Sequence, residues 1–93
     1  MKLRLFSIKD RLMGVFLTPF PARADVEAIR QVQASFADPA MRQTPVVTSP
    51  QDYDLFYLGE FDDETGSLSS FTPVLLKNLR DLASSDAQGT VLS

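Results

Sequence analysis

A chain of 93 residues supports one small domain, and 44% hydrophobic against 23% charged residues is the balance of a folded protein. Cysteine, histidine and tryptophan are absent, which excludes disulfides, zinc sites built on Cys or His, thiol nucleophiles and every Ser–His or Cys–His pair. The net charge of −3 is unevenly spread: residues 1–50 carry seven bases against four acids, residues 51–93 two bases against eight acids.

Residues 3–9, Leu-Arg-Leu-Phe-Ser-Ile-Lys, interleave charges with β-favouring side chains and predict a strand. Gly14 precedes a second extended run, Val15–Thr18, so the two predict a hairpin, and Pro19 and Pro21 are expected to stop it. The first residues are basic and apolar in the manner of a signal peptide. Lys9, Asp10 and Arg11 cut that stretch too short for one, and no apolar run nears the roughly 18–20 residues of a membrane span. No export or membrane association is expected.

Asp25 is a candidate helix cap, and Val26, Ile29, Val32 and Phe36 recur at steps of three and four. They predict a helix over about residues 25–37, ended by Asp38-Pro39. Residues 38–52, with Pro39, Pro45 and Pro50, read as a loop with a short extended piece at Val46-Val47. Residues 53–61 form the clearest strand. Leu55, Tyr57 and Phe61 alternate with Phe56 and Leu58, so both faces are apolar and a central position is expected. One helix covers one face; the other requires the C-terminal segment or a second copy.

Asp62-Asp63-Glu64-Thr65-Gly66 has turn chemistry, with Gly66 suited to positive φ, and residues 67–71 read as the return strand. Thr72-Pro73 resembles a helix start, and Leu75, Leu76, Leu79 and Leu82 suggest a helix over about 73–83. Residues 84–93 turn small and polar, as in a mobile tail. The expected class is therefore α+β: a small antiparallel sheet from two hairpins with one packed helix (ββαββ) and a short C-terminal helix, residues 1–83 forming one domain.

Little here suggests catalysis. The acidic run lacks the spacing of a calcium loop, since no Glu closes it at the twelfth position, and a hairpin tip provides no cleft to tune paired carboxylates. Gly14, Gly59, Gly66 and Gly89 are isolated, so no phosphate loop exists. Without histidine a serine or threonine would need a lysine base, and Lys2, Lys9 and Lys77 have no suggestive spacing. The expectation is a protein that is not an enzyme and needs neither cofactor nor metal. The N-terminal part does combine cations with aromatics: Lys2, Arg4, Phe6, Lys9, Arg11, Phe16, Phe20, Arg23 and Arg30. Single strands are bound by such mixtures, cations on phosphates and rings on bases. The same residues also suit an ordinary hairpin with a phenylalanine core, and an acidic chain lacks the usual basic footprint.

The order of motifs resembles a known family. Pro19-Phe20, Ala22-Arg23, Asp25, Ala28-Ile29-Arg30, Pro50-Gln51-Asp52-Tyr53, Leu55-Phe56, Leu58-Gly59-Glu60-Phe61-Asp62-Asp63 and Thr65-Gly66 are similar to the small nonstructural protein of gokushovirus-type microviruses, tailless phages with single-stranded DNA genomes. The resemblance covers about residues 4–68 and departs from the family pattern after Thr72. It implies a phage accessory protein that binds single-stranded DNA during genome replication or packaging in the host cytoplasm, and it carries over no binding residues. With it, the nine cations and phenylalanines above become the expected contact set. A homodimer or other homo-oligomer is the expected state on separate grounds, since so short a chain buries a modest share of its surface and the second face of the 53–61 strand needs a cover. The alternative is a non-enzymatic interaction or assembly factor that engages phage scaffold, coat or replication proteins through the leucine stripe or a sheet edge.

Overall fold

The computed structural model describes residues 1–83. The expected tail, residues 84–93, lies outside the described residues. The first strand, β1 (Lys2–Asp10), is the longest strand of the N-terminal half. It turns at residues 11–14 into β2 (Val15–Phe16), with Lys9 opposite Phe16 and Asp10 opposite Val15. Asp10 builds that turn: its carboxylate accepts from the N–H groups of Leu12 and Met13, each at 3.0 Å. Its carbonyl accepts from Gly14 at 2.8 Å, and Gly14 takes a φ of +71° that a side chain would resist.

The chain then returns along the other half of β1 as β3 (Phe20–Ala22), with Leu5 opposite Pro21. The expectation that Pro21 ends strand structure is corrected. β3 pairs only with β1, so an edge position accepts a residue with no N–H to donate.

The helix α1 spans Asp25–Ala37, the range its periodicity predicts. Its cap differs: Ala24 is the N-cap, and Asp25 is instead the first helical residue. The buried stripe is also rotated. Ala28 and Val32 are buried, Ile29 and Phe36 pack beside them, and Val26 points into solvent. Residues 38–52 are not an irregular loop. They form three tight turns, 3₁₀ turns at Pro39–Met41 and Pro50–Asp52 around a single-turn helix α2 (Pro45–Thr48). Each opens on a proline, whose fixed φ suits a first helical position and whose absent N–H is not missed there. Val46-Val47 is accordingly helical and not extended.

β4 (Tyr53–Asp62) lies between β1 and β5 (Leu68–Asn78), in the sheet order β2-β1-β4-β5. The central position read from its two apolar faces is the one it takes. All pairings are antiparallel. The expected ββαββ order is corrected to five strands, three before α1 and two after it. The helix expected over 73–83 is corrected too. β5 continues through Thr72-Pro73 to Asn78, and only residues 79–83 are helical. Asn78 is the actual cap, its side-chain oxygen accepting from the Arg80 N–H at 3.0 Å. Pro73 is tolerated because β5 is an outer strand whose ladder to β4 is interrupted there: Tyr57 faces Val74, but the next pair is Gly59 with Ser70. At Gly59 a Cβ would run into the Ser69 carbonyl oxygen, so glycine permits the close approach of β5.

The core lies on one face of this sheet. Phe6, Tyr53 and Leu55 from the strands meet Ala28 and Val32 of α1, joined by Ala22, Leu79 and Leu82. Burying a large apolar side chain contributes about 1.5–3 kcal/mol, so Phe6, Leu55 and Leu79, all at 0% exposure, dominate this layer. The C-terminal turn packs on the same face as α1, where Gln33 Nε2 donates to the Leu82 carbonyl. It does not cover the opposite face, as one reading of the sequence required. Cross-strand register places Leu5, Ser7, Lys9, Phe16, Phe56 and Leu75 on that opposite face. None of the packed core residues belongs to it.

Candidate nucleic-acid interface

On the open face the register brings three side chains together. Lys9 sits opposite both Phe16 of β2 and Asp54 of β4, and Ser7 beside it sits opposite Phe56. The Phe16 and Phe56 rings meet edge to face at 5.2 Å between centroids. The Lys9 ammonium lies over the Phe16 ring, 5.4 Å from its centroid. Phe16 is 42% exposed, so one ring surface and the cation beside it are available to a ligand. The geometry is anchored below: Ser7 is fully buried, its hydroxyl donating to the Leu17 carbonyl at 2.6 Å. That bond fixes the chain just after Phe16.

The other expected contact residues go elsewhere. Phe6 is fully buried against Phe20 and Tyr57, with centroids 6.0 and 5.5 Å away, so it has no face for a base. Phe20 is mostly covered in the same cluster. Arg4 lies on the helix-covered face, where its guanidinium donates to the Asp25 carboxylate at 3.0 Å and stacks over Tyr57 at 5.2 Å. The carboxylate expected to cap α1 thus holds an arginine instead. Arg11 reaches the Gln51 carbonyl at 3.2 Å and the Asp54 carboxylate at 3.6 Å. Lys2 is exposed at the start of β1, and Arg23 and Arg30 are exposed at the start of α1 and along it. The nine residues therefore do not form one track. Lys9 and Phe16 share a patch, with Arg11 at its rim.

Phe56 is the member of this patch missing from the expected set. Its signal was present in the sequence, as an aromatic at an even position of a strand whose odd positions fill the core.

The acidic run forms the hairpin turn its composition predicts. Gly66, at φ +75°, donates to the Asp62 carbonyl at 2.7 Å, and the Glu64 N–H donates to the Asp62 carboxylate at 2.9 Å. That Glu64 bond, followed by the nearby Met1 ammonium, holds the Asp62 carboxyl below its ordinary range. The Met1 ammonium donates to Asp63 at 2.8 Å. Among the described residues no group of carboxylates is arranged to hold a metal ion. No described helix is long and apolar enough to cross a membrane.

A model of the Phage ORF5 protein family matches residues 3–82. The chain belongs to the Phage ORF5 protein family. No curated protein and no solved structure matches it. The family match takes in α1, both hairpins and the turn at 79–82, so it runs past Thr72, where the expected resemblance ended, as far as residue 82.

Proposed function

We propose that this protein is a non-enzymatic accessory protein of a gokushovirus-type microvirus that binds single-stranded DNA in the host cytoplasm during genome replication or packaging. The observation that carries the reading is the Lys9–Phe16–Phe56 patch: an exposed ring, an edge-on ring that fixes its tilt, and a cation. Bases stack on such rings without regard to sequence, at about 1–3 kcal/mol per base. Arg4 and Arg11 are held by Asp25 and Asp54, so they are drawn on less than their charge suggests. Few free cations on the patch mean weak phosphate capture, and ring stacking supplies most of the affinity.

The test is fluorescence anisotropy of a labelled oligothymidylate against a duplex control over a range of salt. One or two phosphate contacts give a log–log slope of about −1, from roughly −0.7 per contact on single strands. Phe16→Ala is expected to weaken single-strand binding at every salt concentration. Absence of binding at low salt, or a Phe16→Ala protein that binds as tightly as the parent, ends this reading.

The assembly-factor reading is favoured by one observation of its own, the outward leucines and valine of β5: Leu68, Val74 and Leu75 are 47–69% exposed. Capture of a phage coat or scaffold protein that is lost in Leu68→Ser/Leu75→Ser would support it.

A further inference from the structure

The β1–β2 turn holds two large apolar side chains in water. Leu12 is 78% exposed and Met13 73%, with Val15 at 50% and Leu17 at 40% just beyond. The turn itself does not need them. It rests on the Asp10 carboxylate, the Asp10 carbonyl and the positive φ of Gly14, and any polar pair at 12 and 13 would fit the same backbone. The hydrogen bonds that fix the backbone also fix the Cα–Cβ directions of the two residues, so only their side-chain rotamers are left to order on contact.

Next to this knob is a hole. An apolar cleft of about 230 Å³ opens between β1, α1 and the 38–48 turns, lined by Ile8, Leu17, Phe20, Val32, Met41 and Val46. A cavity of about 150 Å³ already admits a benzene-sized group, so this one takes a leucine or methionine side chain. Ile8 and Leu17 lie on the same hairpin as Leu12 and Met13, a few residues below the tip. Knob and hole are thus neighbours on one surface, which is the condition for a two-fold contact in which each copy fills the other. Charge agrees. Asp10 and Asp52 stand at the foot of the knob, close enough that, after burial, they are the charges that raise the Tyr53 hydroxyl. Arg42, exposed, follows Met41 at the cleft's edge.

We infer that the protein forms a two-fold dimer in which Leu12 and Met13 of each copy enter the Ile8–Leu17–Met41–Val46 cleft of the other, with Arg42 facing the acidic foot of the partner's hairpin. The occupant is a second copy because one surface of the chain carries both complementary halves.

The absence of cysteine allows a direct test. A Met13→Cys protein and a Val46→Cys protein are prepared separately, mixed and oxidised. A disulfide-linked dimer containing one chain of each, in greater yield than either protein gives alone, is the expected result. Linkage that favours Met13→Cys with itself places two tips together and overturns the inference. In parallel, sedimentation velocity should show the parent as a dimer at micromolar concentration, and Leu12→Glu/Met13→Glu should raise the dissociation constant at least tenfold with its circular dichroism unchanged. A monomeric parent, or a dimer indifferent to those charges, assigns the knob to some other partner and sinks the proposal. Because neither arm uses DNA, failure here leaves the single-strand reading to its own titration.

Discussion

The two faces of the sheet are built from the same strands and differ in what lies on them. On one, α1 and the 79–83 turn seal Phe6, Leu55 and Tyr53 away from water, and even the arginine that reaches it, Arg4, is tied to Asp25. On the other, Phe16, Phe56 and Leu75 alternate with Lys9 and Asp54 and receive no helix among the described residues. Alternation along β1 puts Phe6 and Ser7, adjacent in sequence, on opposite faces: the ring fills the core and the hydroxyl braces the hairpin. The phenylalanines themselves differ in availability, Phe6 at 0% exposure and Phe16 at 42%, and availability, not residue type, decides which can meet a ligand.

The sharpest way to break this contrast is to truncate one phenylalanine from each face. Phe6→Ala, measured by urea unfolding, is expected to cost about 3–5 kcal/mol, because it empties a fully enclosed site. A loss below about 1 kcal/mol would mean that the covered face is not the core. Gly59→Ala comes next, at about 1–3 kcal/mol for overpacking, since the new methyl meets the Ser69 backbone oxygen and β5 must move. Phe16→Ala should change stability by only about 0.2–1 kcal/mol, the worth of a cross-strand pair, while single-strand affinity falls roughly fivefold to a hundredfold. That separation of stability from binding is the contrast in measurable form.

The smallest effect is on pH. Asp62 has a folded-state pKa below its unfolded value, so the stability it contributes is present above about pH 4 and is lost as pH falls through the lower folded value. Asp62→Ala should therefore be less stable than the parent at neutral pH, with the two converging in acid. The group is half-buried beside an exposed ammonium and solvent screens the pair, so the gap in melting temperature should be small. A gap that grows on acidification would overturn the assignment.

Much of this was legible in the residues because local chemistry and tertiary position agree. The 3.6-residue recurrence in Val26–Phe36 gave α1 its span, and Gly66 after three acids gave the second hairpin its turn. What misled was chemistry with two meanings. Thr72-Pro73 starts helices, yet in an outer strand with an interrupted ladder the proline has no bond to lose. The leucine stripe was genuine at Leu79 and Leu82, which are buried from a helical turn, but Leu75 belongs to the strand and stays exposed. The prolines at 39, 45 and 50 suggest breakers by composition, yet each opens a turn. The contact set was legible as composition only. Which cations are held by Asp25 and Asp54 depends on register across 21 to 43 residues of chain, and no local pattern encodes that.

The interruption at Pro73 matters beyond the single molecule. An outer strand of 11 residues, half of it apolar, would ordinarily invite a neighbour's strand and then another, growing into fibres. A residue that cannot donate, set where the ladder skips from Val74 to Ser70, denies an incoming strand the regular row of partners it needs. Pro73 thus blunts this edge as a template for strand addition.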